Sequence, residues 1–289
     1  MKAVWYEQLN RRNSMAQATT ATTIAIPERS LFSWNRMWLG IGLLSGWYIL
    51  VNLYERAFAF TKGLDYTSPE YQTYWMNLLL AELALEALSF IAVCTWLWVT
   101  RDRNLENISP VEELRRYWNL GLFIVVYTVG LYWGASYFTE QDGTWHQTVI
   151  RDTDFTPSHI IEFYQSYPIY IILGVGSFMY AITRLPMFAR SFSIPYAVLV
   201  GSPLMIFPNV GLNEFGHTRW FMEELFVAPL HWGFVAFGWG ALAIMGVWLQ
   251  ACPRVYELIK QVYLGKTATS PVKVMEEPEK SVDPAYCEV

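Results

Sequence analysis

Apolar residues in this chain are grouped into long runs that alternate with short polar connections. Six runs approach the roughly 20 residues that a helix needs to cross a hydrocarbon layer about 30 Å thick. The run from Leu78 to Val99 has apolar residues on every face of a helix, whereas a membrane β-barrel shows alternating segments of about ten residues. The pattern predicts an all-α integral membrane protein, a bundle of about six transmembrane helices. The six runs are 37–54, 76–99, 117–138, 167–183, 193–212 and 226–250.

Composition agrees with a membrane protein and excludes two other classes. The chain has 289 residues, of which 54% are hydrophobic and 16% are charged, against about 25% charged residues in an average soluble domain. This excludes a disordered chain and a basic nucleic-acid-binding protein. We expect residues 1–35 to be a polar, disordered cytoplasmic N-terminus, 36–252 a transmembrane domain and 253–289 a polar cytoplasmic tail.

The cations of the chain fall on alternate connections between the apolar runs. Sixteen of the 20 Lys and Arg residues lie on the side that carries both termini, and four lie on the other side. The positive-inside rule therefore places both termini in the cytoplasm. The opposite connections, 55–75, 139–166 and 213–225, carry eleven carboxylates, which predicts an acidic surface that attracts cations. All four histidines lie in or beside the last two of these connections.

The first histidine pair is accompanied by an aspartate at helical spacing. Asp142 and His146 are four residues apart, so on a helix they share one face. His159 follows thirteen residues later, just after Pro157, which we expect to break the chain and start the next helix. The sequence therefore predicts that one carboxylate and two imidazoles converge on one metal ion.

A second set repeats this spacing. Asn213 and His217 are four residues apart, and His231 follows fourteen residues later, two after Pro229. A single histidine near a membrane interface is often only a satisfied polar residue. Ionisable groups in or near a membrane are costly, however, and here every histidine falls into one of two parallel sets. Three protein ligands leave a coordination position open for water, oxygen or substrate, and two histidines with one carboxylate also activate oxygen at non-haem iron.

Other features leave alternative functions open. Glu82 and Glu86 lie four apart inside the second apolar run, where two carboxyls stay protonated, pair with another subunit or line an ion path. A metal-ion permease would use such groups and an acidic outer face. A di-haem cytochrome b also uses four histidines at similar spacing, but each of its pairs lies along one uninterrupted helix, which Pro157 and Pro229 disfavour.

Long motifs surround the two ligand sets. The motifs are YFTEQDGTWH at 137–146, VIRDTDFTPSH at 149–159, PNVGLNEFGH at 208–217 and WFMEELFVAPLH at 220–231. They resemble the C subunit of particulate methane monooxygenase, which belongs to the same copper-dependent family as the C subunit of ammonia monooxygenase. The resemblance covers about residues 35–250 and includes 73–77 and 101–105.

The resemblance implies a bacterial inner or intracytoplasmic membrane complex of A, B and C subunits, assembled as a trimer of heterotrimers. Such a complex inserts one oxygen atom of O2 into a small inert substrate, with electrons from a quinol or another donor. It also implies two copper sites, which zinc can occupy as a substitute. By motif, one site has the ligands Asp142, His146 and His159, and the other, expected to be catalytic, has Asn213, His217 and His231.

Details of the motifs bear on the substrate. Gly143, Thr144, Asp154 and the segment 73–77 resemble the methane-oxidising branch, so methane oxidation to methanol is the expected reaction. Two departures, Phe215 where the family usually has Trp and Arg219 where it usually has an apolar residue, keep a short-chain alkane or ammonia monooxygenase open as alternatives.

Overall fold

The computed structural model describes residues 33–148, 155–201 and 242–264. All regular elements in these ranges are helices, and four helical segments are long and apolar enough to cross a membrane. The predicted all-α membrane fold is therefore confirmed. Of the fifth and sixth predicted runs, only residues 193–201, which are helical from 194, and the residues from Leu242 onward are described. The four segments are Asn35–Lys62, Pro69–Val99, Pro110–Gly143 and Pro157–Arg184.

The described helices are numbered in chain order. Three π-helical turns interrupt them: Gln72–Met76 lies within α2, Trp133–Phe138 joins α3 to α4, and Glu162–Ser166 joins α5 to α6. Such turns are rare and are frequent at functional sites. The helices are α1 (Asn35–Lys62), α2 (Pro69–Val99), α3 (Pro110–Tyr132), α4 (Thr139–Thr148), α5 (Pro157–Ile161), α6 (Tyr167–Arg184), α7 (Pro186–Arg190) and α8 (Leu242–Leu264).

Serine followed by proline starts two of the long helices. The Ser68 hydroxyl accepts a hydrogen bond from the backbone N–H of Tyr71 at the start of α2. Ser109 accepts one from Glu112 in the same way at the start of α3. In both cases proline occupies the first turn, where its missing N–H removes no helical bond.

The first helix is longer than the hydrophobic pattern predicts. The apolar run ends at residue 54, but α1 continues to Lys62. Glu55 was expected in an exposed acidic connection, and this expectation is wrong, because Glu55 lies on α1 and is buried. Its neighbour Arg56 is exposed, so the helix continues with one polar side chain inside and the next outside.

The core is built around α6, which packs against both α2 and α3, while α1 packs against α3. Small residues permit close approach at two crossings. A Cβ at Gly134 would lie 2.9 Å from the Tyr170 ring, and one at Gly174 would lie 3.1 Å from the Tyr127 ring. These glycines therefore set how closely α6 approaches the helix that contains Tyr127.

Cations gather at the end of the bundle where α2 ends and α3 begins. Arg116 pairs with Asp102 at 2.8 Å, and its guanidinium also donates to the carbonyl oxygen of Arg184. Arg184 in turn donates to the Thr100 hydroxyl at 2.7 Å. The backbone N–H of Asn104, followed by the Arg116 side chain, holds the pKa of Asp102 below its ordinary value. The connection between α2 and α3 and the end of α6 therefore meet here. Both belong to the side of the membrane that the count of Lys and Arg predicts to be cytoplasmic.

The chain forms two compact units. The larger is Pro27–Val255, and the smaller includes the part of α8 from Tyr256 onward. In the larger unit, Arg254 donates two hydrogen bonds to the buried Glu113 carboxylate, at 2.9 and 2.5 Å. In the smaller unit, Lys260 pairs with Glu257 one turn away at 3.2 Å. Helix α8 contains Pro253 and ends at Leu264, whereas the polar tail is predicted to begin at residue 253.

Candidate metal centre

A buried carboxylate and a buried imidazole meet at the bundle end opposite the Arg116 network. Asp142 lies on α4 with no exposed surface, and His159 lies on α5 with 3% of its surface exposed. The distance from His159 Nε2 to Asp142 Oδ1 is 3.4 Å. The Ser158 hydroxyl donates to the same carboxylate oxygen at 2.5 Å. Ser158 and His159, consecutive residues of α5, therefore both approach Oδ1 of Asp142.

The separation of these two groups fits shared coordination of an ion. An N–H···O hydrogen bond usually spans about 2.7 to 3.2 Å. Two ligand atoms bound at about 2.0 to 2.2 Å to a tetrahedral ion lie about 3.4 Å apart. The Nε2 and Oδ1 atoms are therefore spaced as two ligands of one small cation would be.

The backbone near Pro157 has the predicted break, and a new helix starts at this proline. Thr156 is extended, with φ −59° and ψ 157°, and Pro157 occupies the first turn of α5. Asp142 and His146 both lie on α4, so the predicted shared helix and the predicted break before His159 are confirmed. The His146 side chain lies outside the described part of the structure. Because Thr156 is not helical, His146 and His159 do not share one uninterrupted helix, as a di-haem site requires.

Two further buried glutamates lie near the pair, and the sequence pattern did not identify either as part of the site. Glu162 is fully buried, and its Oε1 accepts hydrogen bonds from Thr139 Oγ1 and the Tyr167 hydroxyl, each at 2.7 Å. Glu162 lies near enough to Asp142 and His159 to interact with both electrostatically. Glu55 from α1 likewise interacts electrostatically with Asp142.

These glutamates differ in how they could be found from the sequence. Glu162 follows His159 by three residues, so helical spacing alone places it near the same face. Glu55 is distant in the chain and reaches the site only because α1 extends beyond the apolar run. The Oε2 atoms of both glutamates are buried and have no hydrogen-bond partner among the described residues.

Aromatic and aliphatic side chains enclose the cluster. The Phe163 ring centroid lies 4.8 Å from that of His159. Trp145 on α4 is 3% exposed and packs on Phe60 of α1, with 4.9 Å between ring centroids. Ile160 is fully buried in the same apolar cluster. Such surroundings exclude water and strengthen electrostatic interactions among the buried charges.

The second predicted set, Asn213, His217 and His231, lies outside the described residues, as do Phe215 and Arg219. Within the described ranges, no group of three His, Cys, Asp or Glu side chains is close enough to hold an ion. The Asp142–His159 pair is thus the described portion of the first predicted set.

Comparison with known families decides the affiliation of the chain. The family of the C subunit of ammonia monooxygenase and methane monooxygenase matches residues 18–262. The chain belongs to this family. The match includes nearly all of the described helices, both predicted ligand sets and the buried Glu55 and Glu162. A search of curated proteins found no match.

Membership has direct consequences for what the chain is. It is an integral membrane protein of a monooxygenase family, and the members of this family are single components of an enzyme that has other chains.

Proposed function

We propose that this chain is the C subunit of a copper-dependent membrane monooxygenase that uses O2 and a reductant to hydroxylate a small inert substrate, with methane to methanol as the reaction. The observation that carries the proposal is the buried Asp142–His159 pair at ligand-like spacing, within a chain of this family. The motif residues Gly143 and Thr144 support the choice of methane.

The charges around the pair favour a bound cation. The carboxyl groups of Glu55 and Glu162 are buried and interact electrostatically with Asp142, although within the described residues they are not close enough to share one ion with it. Burying unpaired carboxylates is strongly unfavourable, whereas a cation compensates them. Imidazole and carboxylate ligands suit copper, which binds more tightly than the other divalent first-row ions, and zinc fits the same donors.

The chain's own residues define how the first site would work. Asp142, His146 and His159 would hold the ion, and the Ser158 hydroxyl fixes the orientation of the Asp142 carboxylate. Thr139 and Tyr167 fix Glu162. We assign to this site a catalytic, electron-relaying or structural role.

The second set supplies the proposed catalytic centre. Copper held by Asn213, His217 and His231 would provide the redox chemistry that activates O2. The protein's contribution there is an amide and two imidazoles, which leave a coordination position open. Electrons would come from a quinol or another donor.

The proposed assembly contains A and B subunits in a trimer of heterotrimers, in a bacterial inner or intracytoplasmic membrane. Both termini would face the cytoplasm. The gathering of Arg116, Arg184 and their neighbours at one bundle end supports this orientation, because cytoplasmic connections are enriched in cations.

The test is metal analysis together with O2-dependent turnover by the membrane-embedded complex. We expect copper in the complex and oxidation of methane in preference to ethane, butane and ammonia. Preference for another alkane or for ammonia would reassign the substrate, and a complex that oxidises none of them would overturn the function. A His217→Ala complex that assembles, keeps its copper and turns over normally would exclude the second set as the catalytic centre.

A further inference from the structure

A cavity of about 570 Å³ lies among α1, α2, α3 and α6 within the membrane-spanning part of the bundle. Most of its lining is apolar, including Leu43, Trp47, Leu85 and Phe123. Its volume is within the range of about 300 to 1,000 Å³ that small-molecule sites occupy. The cavity is therefore large enough to admit a molecule of moderate size.

Five polar or charged side chains line this cavity, namely Arg36, Glu82, Glu86, Ser89 and Gln165. Glu82 and Glu86 lie one turn apart on α2, and Gln165 lies on the π turn between α5 and α6. Oε2 of each glutamate and Nε2 of Gln165 are buried and have no hydrogen-bond partner among the described residues. Glu82 is 6% exposed and Gln165 is 1% exposed. Hydrocarbon offers no hydrogen bonds to such groups, so a molecule that supplies them would be stabilised in the cavity.

The three atoms together specify the chemistry of that partner. A carboxylate oxygen accepts hydrogen bonds, whereas the Gln165 amide nitrogen only donates them. A hydroxyl group both donates and accepts, so it can satisfy a glutamate and Gln165 at once. Arg36 of α1, which also lines the cavity, supplies donors only and leaves Gln165 without an acceptor. An alkyl chain supplies neither.

We propose that this cavity binds a membrane-soluble amphiphile through its hydroxyl head group. Glu82, Glu86 and Gln165 hold the hydroxyl, and the apolar body lies against residues such as Leu43 and Leu85. The cavity is open to the outside of the described helices at Leu43 and Leu85, which line it and are exposed.

The experiment uses the intact complex in lipid nanodiscs and two photoreactive probes. One is decan-1-ol with a diazirine in its chain, and the other is the matched decane with the same diazirine. After irradiation, mass spectrometry quantifies labelling of the peptides that contain Leu43 and Leu85. We expect the alcohol to label them about tenfold more than the alkane, because only the alcohol pairs with the three polar atoms.

Variants separate hydroxyl recognition from general lipid labelling. Glu82→Gln and Gln165→Leu are each expected to reduce the preference for the alcohol at least threefold. Asn77→Leu, an exposed site on the same helix, is the matched control and should keep the full preference. Co-purification of the other subunits verifies that each variant is assembled before labelling.

Three results would overturn the proposal. Equal labelling of the native cavity by alcohol and alkane would show that the hydroxyl is not recognised. No labelling by either probe would show that another subunit fills the cavity. A preference that survives both Glu82→Gln and Gln165→Leu would show that these side chains do not bind the hydroxyl.

Discussion

Glu162→Gln removes the negative charge that Glu162 would place beside a bound cation, while preserving the shape of the proposed metal site. The amide oxygen of glutamine can still accept the hydrogen bonds of Thr139 and Tyr167, which both go to one carboxylate oxygen. The amide nitrogen takes the place of the other oxygen. The substitution therefore changes the charge at the site and leaves its packing intact.

The expected loss of metal affinity follows from the position of Glu162. It lies three residues after His159, so the two Cβ atoms are roughly 5 to 6 Å apart. A unit charge about 8 Å from a divalent ion interacts with it by about 4 kcal/mol at an effective dielectric constant of 20, which is an upper limit before solvation changes. Changes in groups that support metal ligands typically cost about 10- to 100-fold in affinity. We therefore expect about a 30-fold loss, equivalent to about 2 kcal/mol.

The assay compares complexes equilibrated with Zn²⁺ or Cu²⁺ against a competing chelator, with bound metal measured by mass spectrometry. The metal ion that a His159→Ala complex no longer binds is identified as the ion of this site. Glu82→Gln is the matched control, since Glu82 is also buried in a membrane-spanning helix and has an unpartnered oxygen, yet lies in the separate cavity. Glu82→Gln should leave the affinity unchanged.

The reasoning is refuted if Glu162→Gln binds the defined ion as tightly as the native complex. It is also refuted if both glutamate variants weaken binding equally, because the effect would then be a general consequence of losing a buried carboxyl. If Glu162→Gln lowers the metal affinity and Glu162→Asp lowers it less, the charge of the side chain itself contributes to binding.

Three further predictions concern stability. Arg254→Ala leaves Glu113 buried without its double hydrogen bond and should cost about 2 kcal/mol, measured by thermal unfolding; addition of Glu113→Gln should recover most of the loss, and no loss in the single variant would contradict this. Gly134→Ala places a methyl group 2.9 Å from a tyrosine ring and should cost about 1 to 3 kcal/mol. Gly42→Ala, with nothing within 4 Å, should be neutral or slightly stabilising, and equal effects would refute the packing argument. Because the folded state lowers the pKa of Asp102, its stabilisation is present above its ordinary pKa of about 4 and is lost as the pH falls through the lowered value. Asp102→Asn should therefore flatten the acid side of the stability profile, and an unchanged profile would contradict this.

Much of the fold could be predicted because local signals and apolar runs agree. The second predicted run, 76–99, lies within α2, and the third, 117–138, lies within α3 and the π turn that follows it, although these helices begin earlier, at Pro69 and Pro110, after the capping residues Ser68 and Ser109. Pro157 starts α5 as expected. The end of α1 could not be predicted from hydropathy, because Glu55 is polar but buried by partners from distant parts of the chain. Hydropathy measures the average environment of a residue type and does not detect such a partner.

The candidate site was predicted only as far as sequence spacing could show. The four-residue spacing of Asp142 and His146 and the break before His159 correctly placed these residues on α4 and α5. Glu162 was counted only as surface charge, although its spacing from His159 indicated a shared face. The role of Thr139 and Tyr167 in holding Glu162 depends on the π turn that joins α5 to α6, which the apolar pattern does not reveal.

The most direct test of the central claim is the copper content of the purified complex with and without the His159→Ala substitution. The proposed centre predicts that the variant assembles with its partner subunits and contains one copper ion fewer for each copy of this chain. Electron paramagnetic resonance should show the loss of the corresponding Cu²⁺ signal with nitrogen ligation. An assembled His159→Ala complex with the full copper content and an unchanged spectrum would contradict the claim.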